Sequence, residues 1–520
     1  MTPINAPTPL ENRPAVAGFQ SYFAFAIPYL PALLTALGLV CGIALRTLAY
    51  TADHSLWIDE CMLALNIVER SPAQLLEPLG HNQGAPVGFL LACKASVEVF
   101  GVNEAALRLP AFVGSIVGLF AFAFAAFQLL PKPAARLALW FFALSPYLVA
   151  YAAEAKQYST DGAVCGILLA LAAGPLTART GLGRWIALAL GGAAAIWCSH
   201  PSMFLLAGLG IALFVQALRG RERKAILAVV FVGAVWVISF AAAYVVSLRH
   251  LGENKYLQDY WVEYFLKFPP RPADAGWILD KLGQFFVYPG GMAKIAALPA
   301  LLGIVSFARR PQGLFLVAAL LVPFAVCLIA SALQKYPFGG RLLIFAVPIL
   351  ILLVAHGLAE IAEMVGKTSR LAVGLVIVFP LFAAAGDARE QLQHPKHPEE
   401  MKSVLNSLQR QWQPGDHLYV YGGTGDAGAG PAFEFYSPQF QFPPEAIILG
   451  GIHRGESLRY LDEVRALPPG GRIWLLVSHE HRDEVTSLRS YFDTIRKRGP
   501  EIVRTGSAAY AYDARSQHNE

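Results

Sequence analysis

Eleven long apolar runs decide most of what this chain can fold into. A segment crosses a membrane as a helix when roughly 20 consecutive residues are apolar, because in lipid a helix satisfies its own backbone groups. Such runs fall at about 20–45, 108–130, 135–151, 161–177, 185–199, 202–218, 225–247, 293–308, 313–333, 341–361 and 369–386. Composition agrees: 55% of the 520 residues are hydrophobic and 15% are charged, against about 25% charge in soluble domains. The expected fold is therefore an α-helical polytopic membrane protein with about 11 transmembrane helices. The chain shows no basic stripe with interleaved aromatics, so no nucleic-acid partner is expected. Its six cysteines lie in or beside apolar runs without C-x-x-C spacing, which argues against a zinc site or a disulfide framework. Residues 1–19 read as a polar, Pro-rich cytoplasmic tail without a cleavage signal, leaving targeting to the first span.

The stretch 85–100 is shorter than the others and carries Lys94 and Glu98. Cytoplasmic loops carry the excess of Lys and Arg. If 85–100 does not cross, Lys132, Arg136, Arg179, Arg184, the cluster 219–224, Arg309, Arg310, Lys367 and Arg370 share one side. If it crosses, that alternation breaks. The expectation is an amphipathic helix lying in the outer interface, a cytoplasmic N-terminus, and a plasma (inner) membrane location with the C-terminal domain outside.

That topology gathers charge on the outer face. Asp59 and Glu60 follow Trp57 in the first loop, Glu154, Lys156 and Tyr158 precede the fourth span, Lys335 and Arg341 precede the tenth, and Arg108 opens the second. Each has an ordinary reading. Asp59 and Glu60 suit a solvated loop, Glu154 and Lys156 suit a mutual pair, Arg108 and Arg341 suit snorkelling helix ends, and Trp57 suits an interfacial belt. Their convergence on one face favours a site, since ionisable groups near lipid need water, metal or ligand.

Four motifs point further. They are Trp57-Ile58-Asp59-Glu60, the segment His81 to Leu90, Phe100-Gly101 through Leu107-Arg108-Leu109-Pro110, and Ser145-Pro146 followed by Glu154, Lys156 and Tyr158. In order and spacing they resemble the multipass GT-C glycosyltransferases that use polyprenyl-phosphate sugars, the group containing aminoarabinose transferases of lipid A and protein O-mannosyltransferases. Asn82 to Ala85 depart from the family's His-Pro-Pro-Leu segment. The resemblance spans about residues 20–390. It implies an inverting transfer of a sugar, on the outer face, from a polyprenyl-phosphate donor to a hydroxyl or amine of a lipid, glycan or protein acceptor.

Chemistry fits that implication. An acceptor loses a proton as it attacks the anomeric carbon, a task for a carboxylate base, and Asp59 is the expected one. The leaving phosphate gains charge that guanidinium or ammonium groups can receive; Arg341, Lys335, Arg108 and Lys156 are the candidates. Trp57, Tyr158 and His81 are the expected substrate contacts. Glu60 and Glu154 either orient the base or, in the case of Glu60 above all, join Asp59 in holding a divalent metal cation through oxygen ligands. A multipass transporter or lipid flippase is the alternative, although the charges cluster on one face and no inverted repeat is visible.

After residue 390 the pattern changes. A polar segment, 391–400, leads into alternating helix and strand patterns: helical 399–412, strand 416–421, helical 456–466, strand 472–478, helical 481–498 and strands near 502–505 and 508–513. Residues 391–520 thus form an extracytoplasmic α/β domain, following the catalytic membrane domain 20–390. Gly423-Thr424-Gly425-Asp426-Ala427-Gly428 has the form of a dinucleotide fingerprint, but Pro431 follows too closely. The preferred reading is a glycine loop facing the membrane domain.

Overall fold

A computed structural model of the chain describes residues 29–514, apart from 175, 178, 273, 311–312, 396–398 and 481. The N-terminal tail and the start of the first apolar run lie outside the described residues. In its described part each of the eleven runs is mostly helical. The first four helices are α1 (Leu30–Tyr50), α2 (Ile58–Glu69), α3 (Val87–Phe100) and α4 (Glu104–Leu129). Among the described residues seven helices are long and apolar enough to cross a membrane: α1, α4, Ser202–Gly220, Arg223–Glu253, Gly313–Ala332, Gly340–Gly366 and Arg370–Gln393. Lys132–Leu144 and Pro146–Ala153 make an eighth only if a 52° bend between them is crossed as one span; Pro146 supplies no backbone N–H there and ends the first helix. Tyr158–Ala172, Leu182–Cys198 and Lys294–Ala308 are shorter. The chain is a multi-pass membrane protein, and the expected count of eleven goes beyond what helix length establishes.

The helix Gly340–Gly366 forms the axis of the bundle, with its stretch from Leu343 to Ala355 buried throughout. Helix α3 is not among the apolar helices of membrane length. Its Phe89, Leu90, Cys93 and Val97 are buried in one apolar cluster with α2 and α4, while Lys94 donates to the carbonyl of Val68 at the end of α2 (3.2 Å). The helix Arg223–Glu253 is long for a different reason. Its 31 residues reach about 46 Å at 1.5 Å each, well past a ~30 Å hydrocarbon core. A single π turn at Tyr244–Leu248 lies near its end, and just beyond it Asn254 Nδ2 donates to Asn82 Oδ1 (3.1 Å), which brings the aromatic segment 255–264 up beside the 81–84 turn.

The C-terminal domain is a five-stranded sheet with strand order β2-β1-β3-β5-β4. The strands are β1 (His417–Val420), β2 (Ile447–Leu449), β3 (Ile473–Ser478), β4 (Arg496–Arg504) and β5 (Ser507–Ala514). β1, β2 and β3 run parallel, with Leu418 facing Ile447 on one side and Trp474 on the other; β5 pairs antiparallel with β3 and β4. Three details differ from the sequence pattern. β2 is only three residues long, too short for period-two alternation to show. Pro431 starts the helix Gly430–Tyr436 rather than interrupting it, because a proline fits the first turn, where its missing N–H would be unpaired anyway. Helix 481–498 stops at Ile495, where β4 begins.

The expected linker is short: the last membrane helix runs to Gln393, and Glu399 and Glu400 are already engaged with residues 54–58. Leu56, Cys61, Leu65 and Leu107 share one apolar core with Met401, Val404, Phe433 and Tyr436. Tyr436 Oη accepts from Leu56 N (2.7 Å) and donates to Glu104 (3.1 Å), which also pairs with Lys402 (2.9 Å). The two parts are therefore joined by packed core as well as by chain.

Candidate active site

Residues 57–60 start α2, and both carboxylates sit in its first turn, where the exposed N–H groups favour negative charge. They point to different places. Glu60 is buried and saturated. Its Oε1 accepts from Arg108 Nε (2.9 Å) and Ala155 N (2.7 Å), and its Oε2 accepts from Arg108 Nη2 (2.8 Å) and Trp57 N (3.3 Å). Arg108 also donates to the carbonyls of His54 (2.8 Å) and Ser55 (3.1 Å). This brace ties the first loop, α4 and the 151–157 loop together. Arg108, expected at a donor phosphate, has all three guanidinium nitrogens hydrogen bonded here.

Asp59 faces a partly open space. Its Oδ2 meets Arg341 Nη2 at 2.6 Å and its Oδ1 lies 3.9 Å from Lys156 Nζ. Gln83 hydrogen bonds to Asp59 and accepts from Lys156 Nζ (2.6 Å). Burial pushes the Asp59 carboxyl up, but the charges of Lys156 and Arg341 outweigh it and hold the group down at about 2. Burial likewise lowers the Lys156 ammonium, against the pull of Asp59.

Arg341 opens the helix Gly340–Gly366 and is positioned by the two glycines before it. A Cβ on Gly339 would lie 2.2 Å from the Tyr264 ring, and Gly340 takes φ +56°. The guanidinium carbon then stands 5.4 Å from the Tyr158 ring centroid, 5.6 Å from Trp57 and 5.9 Å from Trp261, within cation–π range of three faces. Its Nε has no hydrogen-bond partner among the described residues.

Glu154 is the third acid. Burial first, and then the charge of Glu60, raise it to about 8, and its Oε2 is unpartnered among the described residues. It is therefore neutral at pH 7. Lys335 is exposed, with its side chain lying over Gly252, and no contact joins it to Asp59. His81 turns away from Asp59 and bonds to Asp426 of the C-terminal domain (2.8 Å), as does Asn82 (3.1 Å). The loop 423–428 thus faces the membrane domain. His200 sits in the tight turn between two helices, where burial lowers it to about 4 and leaves it uncharged.

The oxygen set does not fit a divalent cation shared by Asp59 and Glu60. All four strong contacts of the Glu60 oxygens are hydrogen-bond donors, and Asp59 faces two cations. Among the described residues no group of three His, Cys, Asp or Glu side chains is placed to hold a metal ion. Gln83, Glu399 and His479 border the site without having been assigned to it from sequence; Trp261 borders it too, from the aromatic, Pro-rich loop 248–292, which in sequence suits a lid over the site or packing on the membrane surface equally. Gln83 lies in the stretch Asn82 to Ala85, where the chain departs from the motif of the resembled family, and that was a usable signal. Glu399 accepts from Ile58 N and bonds to His479 (2.8 Å each), a junction with no local signature.

No family model matches the sequence, and no curated protein matches it significantly. Solved structures do. ArnT from Cupriavidus metallidurans bound to undecaprenyl phosphate aligns over 92% of this chain and 97% of its own, at 13% identity and a TM-score of 0.53. The Archaeoglobus fulgidus oligosaccharyltransferase in complex with Zn and sulfate aligns over 92% and 73%, at 11% identity and 0.54. The same AglB enzyme with an inhibitory peptide and a dolichol-phosphate gives 95% and 75%, at 12% and 0.52. At these identities the likeness is one of fold: the chain, a helical membrane bundle continued by a small α/β domain, has the GT-C fold.

Proposed function

We propose that the protein is an inverting glycosyltransferase that moves a sugar from a polyprenyl-phosphate carrier to a hydroxyl or amine acceptor on the outer face of the plasma (inner) membrane. The observation that carries this is Asp59, a carboxylate in a partly open space and held by Arg341 and Lys156 rather than by a buried brace. Solved neighbours of the same fold bind undecaprenyl phosphate and dolichol-phosphate. In the resting site the two cations keep Asp59 ionised. A donor phosphate competes with Asp59 for Arg341, and each cation that turns toward phosphate makes Asp59 more basic.

The acceptor oxygen or nitrogen then forms a bond to the anomeric carbon while the bond from that carbon to the phosphate oxygen breaks. The acceptor's proton passes to Asp59, and the electron pair of the broken bond leaves on the carrier phosphate. Arg341 and Lys156 receive the added charge through charge-assisted hydrogen bonds. Trp57, Tyr158 and Trp261 form an aromatic wall around Arg341, where they exclude water and strengthen these contacts. Glu154, neutral at pH 7, offers a hydroxyl donor and adds no negative charge opposite the phosphate. Glu60 and Arg108 are positioning residues.

The test is transfer by purified protein from radiolabelled polyprenyl-phosphate sugars to a membrane extract. Asp59→Asn is expected to lower the rate by about 10³-fold, in the range for loss of a general base, with an unchanged thermal midpoint. A variant within about tenfold of the parent rules Asp59 out as the base.

A further inference from the structure

In a parallel sheet, ligands bind outside the carboxyl ends of the strands, where successive connections leave in opposite directions. The small sheet has such a point. β1 lies between β2 and β3, so the chain leaves β1 toward one neighbour and returns to the other. This carboxyl edge faces the membrane domain. The loop after β1 supplies Asp426 to His81 and Asn82. The loop after β3 supplies His479 to Glu399, whose second oxygen accepts from Ile58 N, the residue beside Asp59.

The loop after β2 carries Arg454 and is held firmly. Glu463 receives His453 Nε2 (2.7 Å) and Gly451 N (3.1 Å), and His453 N donates to Tyr460 (2.9 Å). Arg454 itself is 60% exposed, and among the described residues its one ion-pair contact is Glu484 at 3.8 Å. Most of its five N–H donors are therefore open to a ligand. The β2 loop lies beside the β1 loop that reaches the membrane domain: Thr424 N donates to the carbonyl of Gly450 (3.2 Å), two residues before Asp426 meets His81. Arg454, Asp426 and Asp59 all act electrostatically on Tyr256, and Arg454 and Asp59 both act on His479.

We propose that this edge is the acceptor site, and that Arg454 on its rigid loop selects an acceptor bearing a phosphate or carboxylate near the group to be glycosylated. The inference rests on the transferase reading, with Asp59 as base, for calling the ligand an acceptor. A rigid loop with a mostly open guanidinium suits bidentate anion recognition. A neutral polyol needs no such group.

Titration calorimetry on the full-length protein in nanodiscs tests it, with glucose 1-phosphate, glucuronate and glucose as probes. The anionic sugar of the right kind is expected to bind at least about tenfold more tightly than glucose, a gap of ~1.4 kcal/mol. Whether the phosphate or the carboxylate arm shows it identifies the anion. Arg454→Ala and, as a second variant, Arg454→Gln should each remove the preference with an unchanged thermal midpoint, while Arg341→Met keeps it. Equal binding of all three sugars, or a preference that survives in both Arg454 variants, overturns the proposal. So does a preference lost in Arg341→Met, which places the anion at the donor phosphate. Binding is read without donor, so a failed transfer assay on Asp59 leaves this result standing on its own.

Discussion

Two neighbouring carboxylates, each facing an arginine, live under opposite conditions. Glu60 and Arg108 are 1% and 8% exposed and exchange two hydrogen bonds, with every remaining acceptor taken by backbone. Asp59 and Arg341 are 19% and 18% exposed, meet through one contact, and leave Arg341 Nε unpartnered. A saturated pair has nothing left to offer a substrate, so its work is geometric. An under-used pair of the same chemistry can change partners. The sequence Asp-Glu does not say which carboxylate takes which role; the arginine that reaches each one does.

Breaking each pair in turn should separate the two. Arg108→Met leaves Glu60 buried without its counter-charge, and removal of one member of a buried pair costs about 3–5 kcal/mol. The expected result is a large fall in the thermal midpoint in detergent, or loss of folded protein from the membrane. Arg341→Met should leave the midpoint nearly unchanged, because Asp59 keeps Lys156 and some water, while transfer falls by about 10²-fold or more. If both variants lose stability equally, the distinction between brace and working pair fails.

The fold was legible because it is written in long-period hydrophobicity. Among the described residues the eleven apolar runs are mostly helical, and the change of pattern after them marked the α/β domain. Asp59, Arg341 and Lys156 were legible through charge placed where lipid makes it costly. What could not be read was commitment. Arg108 and Arg341 look alike in sequence, each an arginine at the start of an apolar run, and only the fold shows that Arg108 reaches Glu60. That the Glu60 oxygens are already taken could not be read for the same reason, since two of their donors come from residues 48 and 95 positions away. Glu399 and His479 were invisible because their contact with Ile58 spans the whole domain junction.

A smaller effect sharpens the same contrast from the acid side. Glu154 stands near both pairs and is raised to about 8, chiefly by burial. Below that pH it is neutral; above it, a third negative charge joins Asp59 and Glu60. Transfer should therefore decline as pH rises through about 8. In Glu154→Gln that alkaline limb should move to higher pH or vanish. A limb unchanged in the variant assigns it to another group, and Lys156, lowered by burial, is then the next to replace.

The smallest expected effect lies where the α/β domain meets the loop that carries both pairs. His54 is raised first by its hydrogen bond to Glu400 (2.9 Å), with Arg108 opposing and Asp53 assisting. His479 is raised first by its bond to Glu399, with Asp59 assisting and Arg454 opposing. A histidine whose folded value is raised stabilises the fold fully below its ordinary pKa and loses that contribution as pH rises through the raised value. Glu400, lowered first by the same bond to His54, contributes above the ordinary carboxylate pKa and loses it as pH falls through its lowered value. Docking is therefore firmest in mildly acidic solution and loosens on the alkaline side. Both histidines are nearly half exposed, so the combined change is expected to stay under about 1 kcal/mol. Thermal midpoints at about pH 6 and about pH 8.5, on either side of the histidine range, should differ slightly in the parent. The difference should shrink in His54→Gln combined with His479→Gln. An undiminished difference would mean that the junction is held by its apolar core and the Lys402–Glu104 pair alone, and that the Asp59 loop does not feel the state of these histidines.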